Sequence, residues 1–116
     1  MKPGPDADKV LIAHMRDCLA LIDEYTAHDR ARFDGSRMVQ DAVVRNLQIL
    51  TESSQRLSDA IKATEPQVPW RELAGFRNVL VHGYLGIDLQ AMWSVVVQDL
   101  PALSEALDRM ALHGAG

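Results

Sequence analysis

Within the fifteen residues Trp70-Arg-Glu-Leu-Ala-Gly-Phe-Arg-Asn-Val-Leu-Val-His-Gly-Tyr84 stand a permanent cation at Arg77, an amide at Asn78, an imidazole at His82 and a phenol at Tyr84. Imidazole is the side chain that titrates near neutrality, so His82 can take or give a proton. A guanidinium holds phosphoryl oxygens by parallel hydrogen bonds while charge builds on them, which gives Arg77 a role at a phosphodiester. This set could cut a phosphodiester without a metal. Its geometry on a regular helix is imperfect. At about 100° per residue Asn78 and His82 fall about 40° apart and Arg77 and Tyr84 within about 20°, but Arg77 and His82 are about 140° apart. Either the helix loosens before Gly83, or Arg77 of one chain works beside His82 of another. By residue type alone, Arg, Asn and His near a helix end are more often surface and capping groups.

The elements that must position these groups read as helices. No strict alternation of strand type and no Asn-Gly or Asp-Gly hairpin signal is present. A first helix is predicted from Asp6 to about Asp29, with Leu11, Met15, Cys18, Ile22 and Tyr25 along one stripe. His14 sits at its edge as a partly buried polar residue. Arg30–Gly35 carries no periodicity and reads as a connection, and Ser36 as the N-cap of a long second helix to about Thr64. The stripe of that helix is Val39, Val43, Leu47, Leu50, Ser54, Leu57 and Ile61. Prolines 66 and 69 end it and open a third helix over Trp70 to about Tyr84. Glu72 in its first turn complements the helix dipole. Leu89, Trp93, Val96, Leu100, Leu103, Leu107 and Met110 form the fourth stripe, whose phase survives Pro101, so a kink or short break is expected there. The sum is an all-α, up-and-down four-helix bundle.

Size and composition agree with one domain over residues 1–116, ordered from about 6 to 110. The chain has 116 residues, 47% apolar and 24% charged, enough to bury a core without disulfides. Its net charge of −4 argues against a broad basic surface for nucleic acid, so an anionic ligand must be met locally. Cys18 is the only cysteine, His14 and His28 lack metal spacing, and nothing calls for a metal or cofactor. The opening MKPGPDAD lacks a signal peptide's apolar stretch and no run reaches the roughly 18 apolar residues of a membrane span, so a cytoplasmic protein is expected. Met15, Met38, Met92 and Met110 read as core or interface filler. The low aromatic content and unequal helix lengths leave room for a second copy, and a homodimer is expected.

The spacing Arg77-x4-His82-x-Tyr84 resembles the Arg-x4-6-His-x-Tyr signature of HEPN-domain proteins, in particular the HepT-like branch of toxin–antitoxin systems. The flanks resemble that branch too. They are Asp41-Ala-Val-Val-Arg45, Val68-Pro-Trp-Arg71, Phe76-Arg-Asn78, and Trp93 followed by Asp99-Leu-Pro101. Thr51-Glu-Ser-Ser54 and Leu85 depart from the branch, the first in a way that bears on packing. The resemblance implies a helical bundle dimerised so that two motifs line one cleft, and a metal-independent endoribonuclease toxin acting on RNA. It implies proton transfer by His82, stabilisation of the phosphorus centre by Arg77, and a supporting contact from Asn78. It further implies a nucleotidyltransferase antitoxin that transfers AMP to Tyr84, adding bulk and negative charge beside His82. The alternative is a non-catalytic binding module that serves the same nucleotidyltransferase as acceptor.

Overall fold

The computed structural model describes residues 4–73 and 88–115, with side chains to residue 112, and every regular element among them is helical. In chain order these are α1 (Pro5–Thr26), α2 (Arg30–Gly35), α3 (Arg37–Arg56), α4 (Asp59–Ala63), α5 (Leu89–Ser94), a π-helical stretch Val95–Asp99, and α6 (Leu100–Ala115). A further helical turn opens at residues 70–73. The all-α expectation holds, but the helices are more numerous than the four expected.

α1 packs against α3 and α6, and the predicted stripes supply the core between them. Leu11, Met15, Cys18 and Ile22 of α1 meet Val39, Val43, Leu47 and Leu50 of α3 and Leu103, Leu107 and Met110 of α6 in one buried cluster. Arg16 and Asp108 pair across the α1–α6 seam at 3.1 Å, with both side chains about half exposed. A pair so wet contributes little, about 0–1 kcal/mol. Cohesion therefore comes from the apolar stripes. His14 is fully on the solvent side, one residue off the buried stripe, rather than partly buried. Met15, Met92 and Met110 are buried as expected, but Met38 is 80% exposed.

The first helix stops three residues before its predicted end. Ala27 and His28 both take left-handed φ values, 51° and 56°, which turn the chain out of α1. Asp29 then accepts from the backbone N–H of Ala31 at 2.9 Å and caps a short helix where a connection was expected. Arg32 Nε donates to the Tyr25 carbonyl at 2.7 Å and ties the corner back to α1. Ser36 caps α3 as predicted, accepting from Val39 N–H at 3.2 Å.

The long second helix is broken at Leu57 and Ser58, and the cause lies fifty residues upstream. Asp8, 6% exposed in the first turn of α1, accepts the Ser58 backbone N–H at 2.9 Å and the Ser58 hydroxyl at 2.6 Å. The amide that would have continued α3 is thereby captured. Leu57 turns extended, at ψ 144°, and the Ser58 hydroxyl accepts from Ile61 N–H to start α4. Nothing in the local periodicity reveals this, because the apolar phase runs on through Leu57. Asp8→Ala strands the Ser58 amide and is expected to cost about 1–3 kcal/mol. In urea this lowers the unfolding midpoint at unchanged slope. An unshifted midpoint would remove Asp8 as the cause of the break.

The interruption expected near Pro101 takes the form of a π-helical stretch, Val95–Asp99, between α5 and α6. The residues before Pro101 widen into a π turn, in which Leu100 N–H bonds the Val95 carbonyl five residues back. The wider turn accommodates the proline ring, which in a regular α-helix would press on the carbonyl four residues earlier. Val96 and Leu100 on either side stay buried, so the fourth stripe is continuous through the distortion. Thr51 and Ser54, the bulkier residues of α3, are buried and back-bonded to the carbonyls of Gln48 and Thr51, at 3.0 and 2.7 Å.

Candidate functional site

Arg77, Asn78, His82 and Tyr84 all lie outside the described residues. The structure does describe the framework from which the chain enters and leaves that stretch. At the entry, Pro69 supplies the carbonyl that accepts the first helical amide, Leu73 N–H, at 3.0 Å. This agrees with the predicted start of the third helix. The half-buried Trp70 directs its indole N–H at two carbonyls, those of Lys62 and Glu65, each at 3.2 Å. At the exit, Asp88 accepts the Ala91 amide at 3.0 Å through its carboxylate and caps α5.

The least expected feature of the entry is Glu65, a carboxylate only 5% exposed. One of its oxygens accepts from Arg109 Nε of α6 at 2.6 Å, with the Arg109 Nη2 also on it, and from Gln67 Nε2 at 3.1 Å. A carboxylate this far from water is tolerable because a guanidinium lies on it. The hydrogen bond to Glu65 raises the Arg109 pKa above its ordinary value. Burial acts in the opposite direction, while the charges of Glu65, Glu105 and Asp108 add to the rise. Sequence reasoning missed both residues, since no local pattern links positions 44 apart. The only hint was a Glu standing between a helix end and two prolines.

Other polar groups gather nowhere comparable among the described residues. Arg45, Arg56 and Arg71 are exposed. His28 approaches Asp23 at 3.6 Å on the surface, and no three His, Cys, Asp or Glu side chains among the described residues are arranged to hold a metal. A cavity of about 330 Å³ lies at the α3–α4 break, lined by Leu11, Arg56, Ser58 and Asp59 among others. It is the hollow beside the Asp8–Ser58 junction. Cys18 is buried in the core, and burial followed by the charge of Asp17 pushes its thiol pKa up, which makes it a poor nucleophile. No helix among the described residues is long and apolar enough to cross a membrane.

Comparison with known proteins places this framework. The family model described as ribonuclease HepT-like matches residues 15–110, from the middle of α1 to the last buried turn of α6. A Thermococcus cleftensis protein provisionally named ribonuclease HepT is 31% identical over 103 residues, covering 88% of this chain and 94% of its own. A protein of Methanocaldococcus jannaschii provisionally named an RNase is 35% identical over 80 residues, 69% of this chain and 73% of its own. A second protein of that organism, named a gamma-glutamylcyclotransferase and provisional RNase, is 35% identical over 101 residues. The match takes in 85% of this chain but spans only 45% of that relative's length. No solved structure matches the chain. With the family model covering most of its length and relatives of this identity along it, the chain belongs to the HepT-like ribonuclease family.

Proposed function

We propose that the chain is a metal-independent endoribonuclease toxin that cuts RNA at a cleft between two copies and is silenced by transfer of AMP to Tyr84 from a nucleotidyltransferase antitoxin. The observation that carries this reading is the Arg77-x4-His82-x-Tyr84 spacing within a chain of the HepT-like family. In this scheme His82 moves the proton at the RNA 2′-hydroxyl or the leaving oxygen. Arg77 stabilises charge on the phosphoryl oxygens, and Asn78 supports the contact. Two copies of an up-and-down helical bundle would bring Arg77 of one near His82 of the other, which answers their angular separation on a single helix. The net charge of −4 fits a compact site that neutralises one or two phosphates, and Cys18 as the only cysteine suits the reducing compartment of the cytoplasm.

The test is an RNA cleavage assay on the purified chain in the presence of a chelator, before and after incubation with the adjacent nucleotidyltransferase and ATP. Expected are cleavage with only a shallow salt dependence, because the slope scales with phosphates neutralised. Expected also are a mass gain of one or more AMP units that Tyr84→Phe prevents, and loss of cleavage on modification. Gain of AMP by a chain that never cuts RNA would replace this reading with that of a non-catalytic acceptor. Absence of both would dismiss it.

A further inference from the structure

Glu65 is the point at which four parts of the chain meet. Its amide donates to the Lys62 carbonyl at the end of α4 at 3.1 Å, and its own carbonyl accepts from Val68 N–H and the Trp70 indole, each at 3.2 Å. Its carboxylate is held by Arg109 of α6. The segment between α4 and Trp70 contains Pro66 and Pro69, whose fixed φ angles leave it little freedom to bend elsewhere. The direction in which the chain leaves Trp70 is therefore set by where Arg109 holds Glu65. For stability alone this pair is a poor device, since only Glu65 is buried and the Arg109 guanidinium, about half exposed, is screened by water. What the pair adds is direction, through three donors aimed at a single oxygen.

That direction matters because of leverage. Arg77 and His82 stand seven and twelve residues beyond Trp70 in the sequence, so an error in the entry at Trp70 is carried into their placement. Misplacement of about 1 Å can cost on the order of 10²-fold in rate. We propose that Arg109 and Glu65 are positioning residues, which act on the placement of Arg77 and His82 by fixing the chain's entry into that stretch at Trp70. This rests on the ribonuclease reading above, and neither residue touches RNA in it.

The experiment compares full-length wild type, Arg109→Met and Arg109→Lys by RNA cleavage kinetics and by backbone hydrogen exchange. Arg109→Met is expected to lower kcat on the order of 10²-fold, with KM little changed, because binding contacts remain while their alignment is lost. Arg109→Lys keeps a charged donor for Glu65 and is expected to recover much of that loss. Exchange in Arg109→Met is expected to accelerate in peptides spanning residues 66–84 and to stay at the wild-type rate in α1 and α3. Unchanged kcat overturns the proposal, as does a kcat loss accompanied by equal acceleration in α1 and α3, which would mark general destabilisation. A wild type that does not cut RNA removes the ribonuclease reading instead. In that case the exchange pattern decides alone, and the absence of a local change overturns the brace.

Discussion

His82→Ala is expected to abolish RNA cleavage and growth inhibition while leaving the helical content and the hydrodynamic size of the protein as they are. General acid–base catalysis by a placed side chain contributes about 10²–10⁴-fold, and alanine offers no substitute proton carrier. His82 is the one imidazole in the motif stretch. The other three histidines stand elsewhere, and His14 and His28 are exposed on the helical framework, where neither has metal-like company. Arg77→Ala is expected to fall by a similar factor through loss of charge stabilisation on the phosphoryl oxygens. Arg77→Lys should recover little, because a point charge does not reproduce the planar fork of a guanidinium. The measurement is kcat/KM on a defined RNA alongside circular dichroism and sedimentation. Full activity in His82→Ala would sink the catalytic assignment, and a loss of helical content would mean that His82 supports the fold instead.

Much of the framework was legible in the sequence because its largest energetic term leaves a periodic trace. The stripe Leu11, Met15, Cys18, Ile22 became the buried face of α1, and the phase from Leu89 to Met110 became the buried face of α5, the π turn and α6. Ser36 was legible because its cap bond is local, three residues forward. What escaped was set by partners far away in sequence. Asp8 capturing Ser58 breaks an apolar run that looks continuous, and Glu65 pairs with a residue in the last helix. The π turn was half legible, since Pro101 announces a distortion but not its form. α2 was missed because six residues hold too few periodic positions to announce a helix. The chemistry was legible differently. No stripe points to Arg77, His82 and Tyr84, and only their spacing with the surrounding flanks separates them from capping residues.

Phe33→Ala is expected to be the most destabilising single change on the described framework. α2 is six residues long, well below the roughly 12–15 residues at which an isolated helix becomes even marginal in water, so tertiary contacts must hold it. Its anchor is Phe33, fully buried, with its ring 5.3 Å from that of Trp93 in a tilted stack. The backbone around it is also engaged: Phe33 N–H donates to the Asp29 carbonyl at 3.1 Å and Gln40 Nε2 donates to the Phe33 carbonyl at 2.9 Å. Truncation to alanine removes the ring and leaves a cavity between α2 and α5, at a cost of about 3–5 kcal/mol. Against a total stability of about 5–15 kcal/mol for such domains this is a large fraction. The melting temperature should fall by roughly 10–20 °C. Phe33→Leu refills most of the volume and should lose much less. Because Trp93 loses its aromatic neighbour and gains access to water, its fluorescence should shift to the red in Phe33→Ala at temperatures where the protein is still folded. If the variant melts within about 2 °C of wild type, too small a shift for a filled core position at this size, then α2 is held by its caps and by Gln40 rather than by the ring.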